Sequence, residues 1–301
     1  MTSDPGWDLY RTFLVVVEEG SLSGAARRLG LTQPTVSRHV DALEAALGAD
    51  LFLRSQRGLA PTEMALELEP YARSLALTAA AAARSASARA GEVSGRVRVS
   101  ASEVVGVEHL PPILAGLRRR HPGLVVELVL SNALDDLLRR EADIAVRMVA
   151  PTQDALVTRR LPSVAVGLHA RRDYLERRGM PRSLADLASY DLIGFDRDTP
   201  ATRAIAAQFP AVGRAAFALC ADSDLAQLAA IRAGFGVGMC QVSVARRDPD
   251  LVAVLPDEIT FEFGLWLAMH EDLRTSARCR AVFDALAEGL TASVIGSSIS
   301  V

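Results

Sequence analysis

The chain is 301 residues long, half of them hydrophobic and 23% charged, with a formal net charge of −3. The length favours two or more folded units with room for sizeable cores, and the charge balance by itself does not mark a nucleic-acid binder. Arg, Asp, Glu or a Gly/Pro turn interrupts every apolar run before it approaches the ~18 residues of a membrane span, and the opening MTSDPGWDLYRTF lacks the regions of a signal peptide, so a cytoplasmic protein with no membrane partner is expected.

Asp4-Pro5 predicts a cap and first turn for a helix with Leu9, Phe13, Val16 and Val17 on one face, stopped by Glu19-Gly20. Ser21 caps a second helix whose Leu22, Ala25, Ala26 and Leu29 recur at helical spacing, and the small alanines allow close helix-to-helix approach. After Gly30-Leu31, Thr32 caps a third helix in which Val36, Val40, Leu43 and Leu47 form an apolar stripe. Pro34, Arg38, Asp41, Ala42 and Ala45 fall on the opposite face. Helix, short Gly-containing turn, helix is the helix-turn-helix arrangement, whose second member enters the major groove by its N-terminal end. Gln33 carries the paired donor and acceptor that suit adenine, Pro34 opens the helix, Thr35 offers a methyl and a hydroxyl, and Ser37 and Arg38 can reach phosphate or guanine. Taken singly, each is also an ordinary solvated helix residue. The segment Leu51 to Thr62 predicts a small hairpin around Ser55-Gln56-Arg57-Gly58, with Arg54 and Arg57 as phosphate-gripping cations of a wing.

The run GSLSGAARRLGLTQPTVSRHVDALEAALGADLFLRSQRGLAPT resembles the winged helix-turn-helix signature of LysR-type transcriptional regulators, and the remaining chain is similar in order and length. Leu22 and Gly24 stand where the family tends to have Phe and Ala, and Met64-Ala65 replaces its common Ala-Gly. Gly24 costs about 1 kcal/mol of helix propensity relative to Ala.

From Glu63 to Ala90 the sequence is Ala-rich, with Leu66, Leu68, Leu75 and Leu77, no Gly, and one Pro at Pro70 that predicts a kink or a delayed helix start. A stripe this thin needs a second helix to bury it. In the family this is the linker helix that pairs two subunits, which implies a homodimer or homotetramer; Gly91 to Gly95 then reads as a hinge.

Beyond the hinge, strands (Arg96 to Ala101, Val125 to Leu130, Asp143 to Val146) alternate with helices (Leu110 to Arg120, Ala133 to Arg139). The pattern restarts with strands at Asp191 to Phe195, Ala215 to Cys220 and Gly236 to Cys240. This order indicates α/β units in which ligands collect beyond the carboxyl ends of parallel strands. HLPPILAGLRRRHPGLVVEL, EADIAVR and SDLAQLAAIRAGFGVGM extend the resemblance. It implies a two-lobed effector domain similar to periplasmic solute-binding proteins, with crossings near Pro162 to His169 and Leu265 to His270 and the final helix, about Thr275 to Thr291, on the first lobe. The expected fold is therefore α/β with an all-α-type winged helix-turn-helix domain (1–62), a linker helix and hinge (63–91), and an effector domain (92–301). Its lobe I spans about 92–165 and 268–301, and lobe II about 166–267.

Strand ends give the candidate effector contacts: Ser100 and Ser102, Ser131 and Asn132, and Arg147 as a two-pronged carboxylate partner, with Phe195, Ser223 and Cys240 in the second lobe, Gln241 adjacent. For the hydroxyls a helix cap is an equal reading, and for Arg147 an ion pair. Cys220, Cys240 and Cys279 lack disulfide or zinc spacing and read as reduced thiols, with a redox pair as the lesser alternative. Gly234-x-Gly236-x-Gly238 follows a helix and enters a strand, the reverse of a dinucleotide fingerprint. The histidines are scattered, and Glu127, Glu141 and Asp143 read as structural or solvated carboxylates, so no catalytic set, metal or cofactor is expected. The chain reads as a regulator of promoter DNA controlled by a small molecule, a carboxylate among the candidates, and RNA polymerase stays open as a partner. A solute-binding module or an enzyme on the same fold is the alternative; the first needs export, the second a catalytic constellation.

Overall fold

The computed structural model describes residues 5–55, 58–86, 93–132, 142–151, 156–196, 202–203 and 216–295. The chain divides into two compact units, the first formed mainly by Met1–Ser87 and the second by most of the rest.

The first unit begins with helices α1 (Trp7–Glu19), α2 (Leu22–Leu29) and α3 (Gln33–Leu47). The first starts at Gly6, which makes no side-chain cap, rather than at Asp4-Pro5; Asp4 lies outside the described residues. Ser21 accepts the Gly24 N–H at 3.1 Å, and Thr32 accepts that of Thr35 at 3.4 Å, so both expected caps are present. Gly24 has a packing reason: a Cβ there would stand 2.8 Å from the Ser21 hydroxyl, inside contact distance. Val15, Val16, Ala25, Ala26, Val36 and Val40 form one buried cluster, and Phe13, Leu14, Leu43, Leu51, Ala65 and Ala72 another. Leu47, expected on the apolar stripe, is 39% exposed, because α3 ends there and Gly48 turns the chain away in the left-handed conformation. Strands β1 (Phe52–Ser55) and β2 (Gly58–Pro61) pair antiparallel as the expected hairpin.

Helix α4 (Glu63–Ala86) contains Pro70 in its interior, so the helix start is not delayed. Its 24 residues make a rod of about 36 Å. Ala65, Leu68, Ala72 and Ala76 pack into the cluster around Phe13, whereas Met64, Tyr71 and Leu75, on another face, are 48%, 72% and 46% exposed. Of the expected hinge, Gly95 opens the next strand, while Gly91 and Glu92 lie outside the described residues.

The second unit contains β3 (Gly95–Ala101), a π-helical turn (Val105–His109), α5 (Leu110–Arg120), β4 (Leu124–Leu130), β5 (Ile144–Arg147) and β6 (Leu156–Arg171). These are followed by α6 (Arg172–Arg178), β7 (Leu192–Gly194), β8 (Phe217–Cys220), α7 (Asp224–Arg232), β9 (Gly238–Gln241) and α8 (Val242–Ala245). The chain closes with β10 (Leu251–Val254), β11 (Thr260–His270) and α9 (Ala277–Ile295). The helix expected over Ala133 to Arg139, Glu141, and Ala215 at the start of β8 lie outside the described residues.

One sheet runs in the order β10-β6-β11-β5-β3-β4, with β9 also on β6 and β7-β8 a parallel pair of its own. Strands β3, β4 and β5 are parallel, while β6 and β11 pair antiparallel along their length and carry the chain from lobe I to lobe II and back. Their register slips between Phe263↔Val164 and Leu265↔Leu161, where Pro162 has no N–H and Gly264 no Cβ. The lobe I core holds Val97, Val99, Leu110, Ile144, Leu265 and Leu267 together with Val282, Leu286 and Leu290 of α9, as expected for the last helix. Lobe II closes over Leu168, Tyr174, Leu187, Leu192 and Val254, with a second group around Ile193, Leu228 and Ile231. Gly234 has φ +73° at the end of α7, and a Cβ on Gly236 would lie 1.8 Å from the Asp191 carbonyl oxygen. The glycine series is thus a chain-reversal and packing device.

Candidate functional site

In the first unit the apolar side of α3 is fixed first. Val36, Val40 and Leu43 are buried, and His39 Nδ1 lies 2.8 Å from Thr12 Oγ1, whose single hydrogen goes to the Asp8 carbonyl, so the imidazole donates and ties α3 to α1. The opposite side of the first two turns is presented outward: Gln33, Pro34 and Arg38 are exposed, Thr35 and Ser37 half-buried. The Thr32 and Thr35 hydroxyls are 2.8 Å apart and Arg38 Nη2 donates to Thr35 Oγ1 at 3.4 Å, which pre-orders the donors and acceptors at this helix end. The hairpin is fastened beside it. Glu44 Oε1 accepts the N–H groups of Leu51 (2.7 Å) and Phe52 (3.2 Å), and Leu59 N–H bonds to the Gly20 carbonyl, which Gly58 approaches so closely that a Cβ would sit 2.7 Å from it. Arg54 belongs to β1 opposite Leu59; its side chain, and Arg57 altogether, lie outside the described residues.

In the second unit, a cavity of about 260 Å3 opens between the lobes. Of the residues expected there from strand ends, Ser102, Asn132, Arg147, Phe195 and Cys240 line it, as does Gln241. Ser100, Ser131 and Ser223 do not. Ser100 points to the buried side of its strand, where its hydroxyl accepts Arg147 Nη2 at 2.7 Å. Ser131 continues the ladder through its N–H to the Ala101 carbonyl. Ser223 caps α7 and donates to Glu103 Oε2 at 2.7 Å. The sequence reading missed Asp224, Gln227 and Leu228 of α7, Met148, Val166, Met239 and Phe263. The α7 trio was accessible as an i, i+3, i+4 stripe; Met148 directly follows β5, and the others come from strands whose pairing is long-range.

The wall is mostly apolar, with a few polar groups at defined points. Arg147 is 8% exposed and its Nη1 donates to the Val146 carbonyl at 2.9 Å, which steadies the guanidinium against the cavity wall. The Ser102 hydroxyl is buried without a hydrogen-bond partner among the described residues. On the other lobe, Asp224 Oδ2 accepts Asn132 Nδ2 at 3.0 Å, and burial first, then the Glu103 charge, raises its pKa. Burial pushes the Cys240 thiol up to about 12, so it meets the cavity protonated near neutral pH; all three cysteines are free thiols.

Further polar contacts hold the lobes together. His109 reaches Ser293 Oγ (2.6 Å) and Gln241 Oε1 (3.0 Å), and burial lowers its pKa. Glu108 accepts Arg232 at 2.7 and 3.1 Å with Arg247 at 3.5 Å, and the Arg232 hydrogen bond, opposed by burial, holds its carboxyl below the ordinary value. A carboxyl depressed in the folded state contributes stability above its unfolded value and loses it as pH falls through the folded one. Glu108→Gln is therefore expected to lower the melting temperature at neutral pH and to narrow the difference from the parent on acidification below about pH 4. Calorimetry across that range checks it, and a constant difference between the two proteins counts against the assignment.

Both halves of the chain match known families. Residues 7–66 match the bacterial regulatory helix-turn-helix protein, lysR family, and residues 90–291 match the LysR substrate binding domain. The chain belongs to the LysR family of transcriptional regulators. It is a LysR-type DNA-binding regulator with an effector-binding domain, not an enzyme. This LysR-family regulator is 28% identical over 299 residues, 95% of each chain, to "Probable HTH-type transcriptional regulator LtrA" of Klebsiella pneumoniae. Its fold is similar to that of CrgA from Neisseria meningitidis (TM-score 0.58, 24% identity, 94% of this chain and 98% of that one). It is also similar to that of full-length CbnR in complex with its target DNA (TM-score 0.63, 22% identity, 97% and 99%). Among the described residues no helix is long and apolar enough to cross a membrane.

Proposed function

We propose that this regulator binds promoter DNA in the cytoplasm as a homodimer or dimer of dimers, and that a small carboxylate held between its effector lobes alters that binding. The exposed, pre-ordered first turns of α3 support the groove-reading role: Gln33 for a base edge, Thr35 and Ser37 for sugar or phosphate, Arg38 for phosphate or guanine. Arg54 and Arg57 take the role of sequence-independent cations. The exposed stripe of Met64, Tyr71 and Leu75 on α4 supports pairing of two copies, which sets the spacing of the two recognition helices.

The observation that carries the effector reading is the unpartnered Ser102 hydroxyl beside Arg147 in an apolar cavity. A carboxylate there takes two N–H bonds from the guanidinium and one O–H bond from Ser102, while the body of the ligand meets Phe195, Met239 and Phe263. A volume of about 260 Å3 limits the ligand to one ring or a short chain. Because a ligand shifts only states it binds with different strength, the effect on DNA follows from a change in lobe closure.

Footprinting on genomic fragments, followed by titration of a panel of small carboxylates, tests the reading; a monomer without affinity for duplexes at low salt defeats it. Arg54→Ala or Arg57→Ala is expected to weaken binding to all sequences and to reduce the slope of log K against log salt by about 1. Gln33→Ala is expected to relax selection at one base pair, by about 1–3 kcal/mol of discrimination, in a randomised-site selection. Parental salt slopes, or an unaltered selected site, remove the corresponding residue from the interface.

A further inference from the structure

A second cavity, of about 320 Å3, lies within lobe II on the other side of β6. Ala165, Gly167 and His169 of β6 line it, joined by Leu168, whereas Val166 lines the interlobe cleft. Val242 and Ala245 of α8, Ala253 of β10 and Ile259 supply further apolar wall, and Arg246 stands at the exposed rim.

One polar group in this wall is almost fully buried: His169, 4% exposed. Its Nδ1 lies 3.0 Å from the Gly167 carbonyl oxygen, and since a carbonyl only accepts, Nδ1 carries the hydrogen. Desolvation pushes the imidazole below its ordinary pKa, which keeps the ring neutral and leaves Nε2 as a lone-pair acceptor. None of the described residues is hydrogen-bonded to Nε2, and Gly167 keeps the space open, since a Cβ there would lie 3.2 Å from the Ile259 carbonyl oxygen and 3.8 Å from His169 Cε1. The Thr260 hydroxyl is committed as a donor to the Pro256 carbonyl, so it offers this cavity lone pairs as well. The wall therefore combines apolar surface with acceptors, and the complement is an apolar molecule that brings its own hydrogen.

We propose that lobe II contains a second ligand site, centred on His169, for a small neutral alcohol or phenol whose hydroxyl donates to the imidazole Nε2. It is distinct from the cleft in chemistry: Arg147 there suits an anion, whereas a carboxylate at His169 would set lone pair against lone pair. It requires no occupant in the cleft, so it stands or falls separately from the effector reading.

The test uses the full chain and two probes of the same shape, phenol and toluene. The side-chain nitrogen resonances of His169 are assigned by their loss in His169→Gln, and phenol is titrated into the parent protein. The expected result is a saturable shift of the Nε2 resonance with phenol and at least tenfold weaker binding of toluene. Ala253→Phe, which adds a ring to the lining from an exposed position, is expected to weaken phenol at least tenfold, with Val242→Phe as a second filling variant. An unmoved Nε2 resonance at saturating phenol overturns the proposal, as does parental phenol affinity in a folded filling variant. Binding of phenol that shifts groups of the cleft and leaves His169 unchanged likewise overturns it.

Discussion

Gly236→Ala is expected to destabilise lobe II by about 3 kcal/mol or more, so that its unfolding transition falls well below that of the parent in calorimetry or denaturant titration. Gly236 lies in the strap between α7 and β9, where a methyl group would sit 1.8 Å from the Asp191 carbonyl oxygen. That carbonyl already accepts the Val237 N–H at 2.9 Å, and Ile193 returns a bond to the Val237 carbonyl at 2.9 Å, so the two backbones cannot separate without breaking the join between β7 and the strap. Gly238 is held similarly: a methyl group there would meet Ile231 at 3.0 Å and Ile193 at 3.1 Å. Gly116→Ala provides the contrast. It lies inside α5 with its nearest neighbour at 3.8 Å, and is expected to gain up to about 1 kcal/mol from helix propensity. Loss of the same size in both variants would mean that the close approach at Gly236 is not what alanine disturbs.

Arg147→Leu is expected to cost about a hundredfold in affinity for whichever small carboxylate binds most tightly, consistent with ~1.5–3 kcal/mol for hydrogen bonds to a charged group. Arg147→Lys should recover only part of this, because an ammonium cannot reproduce the paired N–H geometry while also satisfying Ser100 and the Val146 carbonyl. Ser102→Ala removes one neutral donor and is expected to cost about tenfold. Direct titration of each variant checks the order. Equal affinity in the parent and Arg147→Leu would move the ligand's charge away from the guanidinium and defeat the carboxylate reading, whatever the DNA-binding half does.

The DNA-binding half was legible in the sequence because its signals are local. Ser21 and Thr32 cap the helices they precede, the spacing of Val36, Val40 and Leu43 marks the buried side of α3, and two neighbouring strands of four residues pair antiparallel. Where local signals failed, the context was not in the neighbouring residues. Asp4-Pro5 looks like a helix start, yet α1 begins at Trp7; Leu47 fits the stripe but lies past the last turn that has anything to pack against. The cavity between the lobes was legible in part for the same reason. Strand ends can be read along the chain, which finds Ser102, Asn132 and Arg147, but which side of the strand end faces the cavity depends on pleat and neighbours. Ser100 shows this: one residue earlier or later in the pleat it would face the other way, and here it secures Arg147 from behind. Val166, Met239 and Phe263 reach the cleft only through pairings such as Val166↔Gln241, which no local pattern announces.

The slip in pairing between β6 and β11 has a mechanical consequence. The lobes are joined by two neighbouring strands rather than by loose connectors, so the place where they can most easily twist is the point where Pro162 and Gly264 interrupt the ladder. Phe263, which flanks that point, also lines the cavity, so the ligand proposed there would press close to the fulcrum. On that proposal, a short displacement at the ligand would become a wider sweep at the far edges of both lobes, much as a wedge driven near a gate's hinge swings its free end.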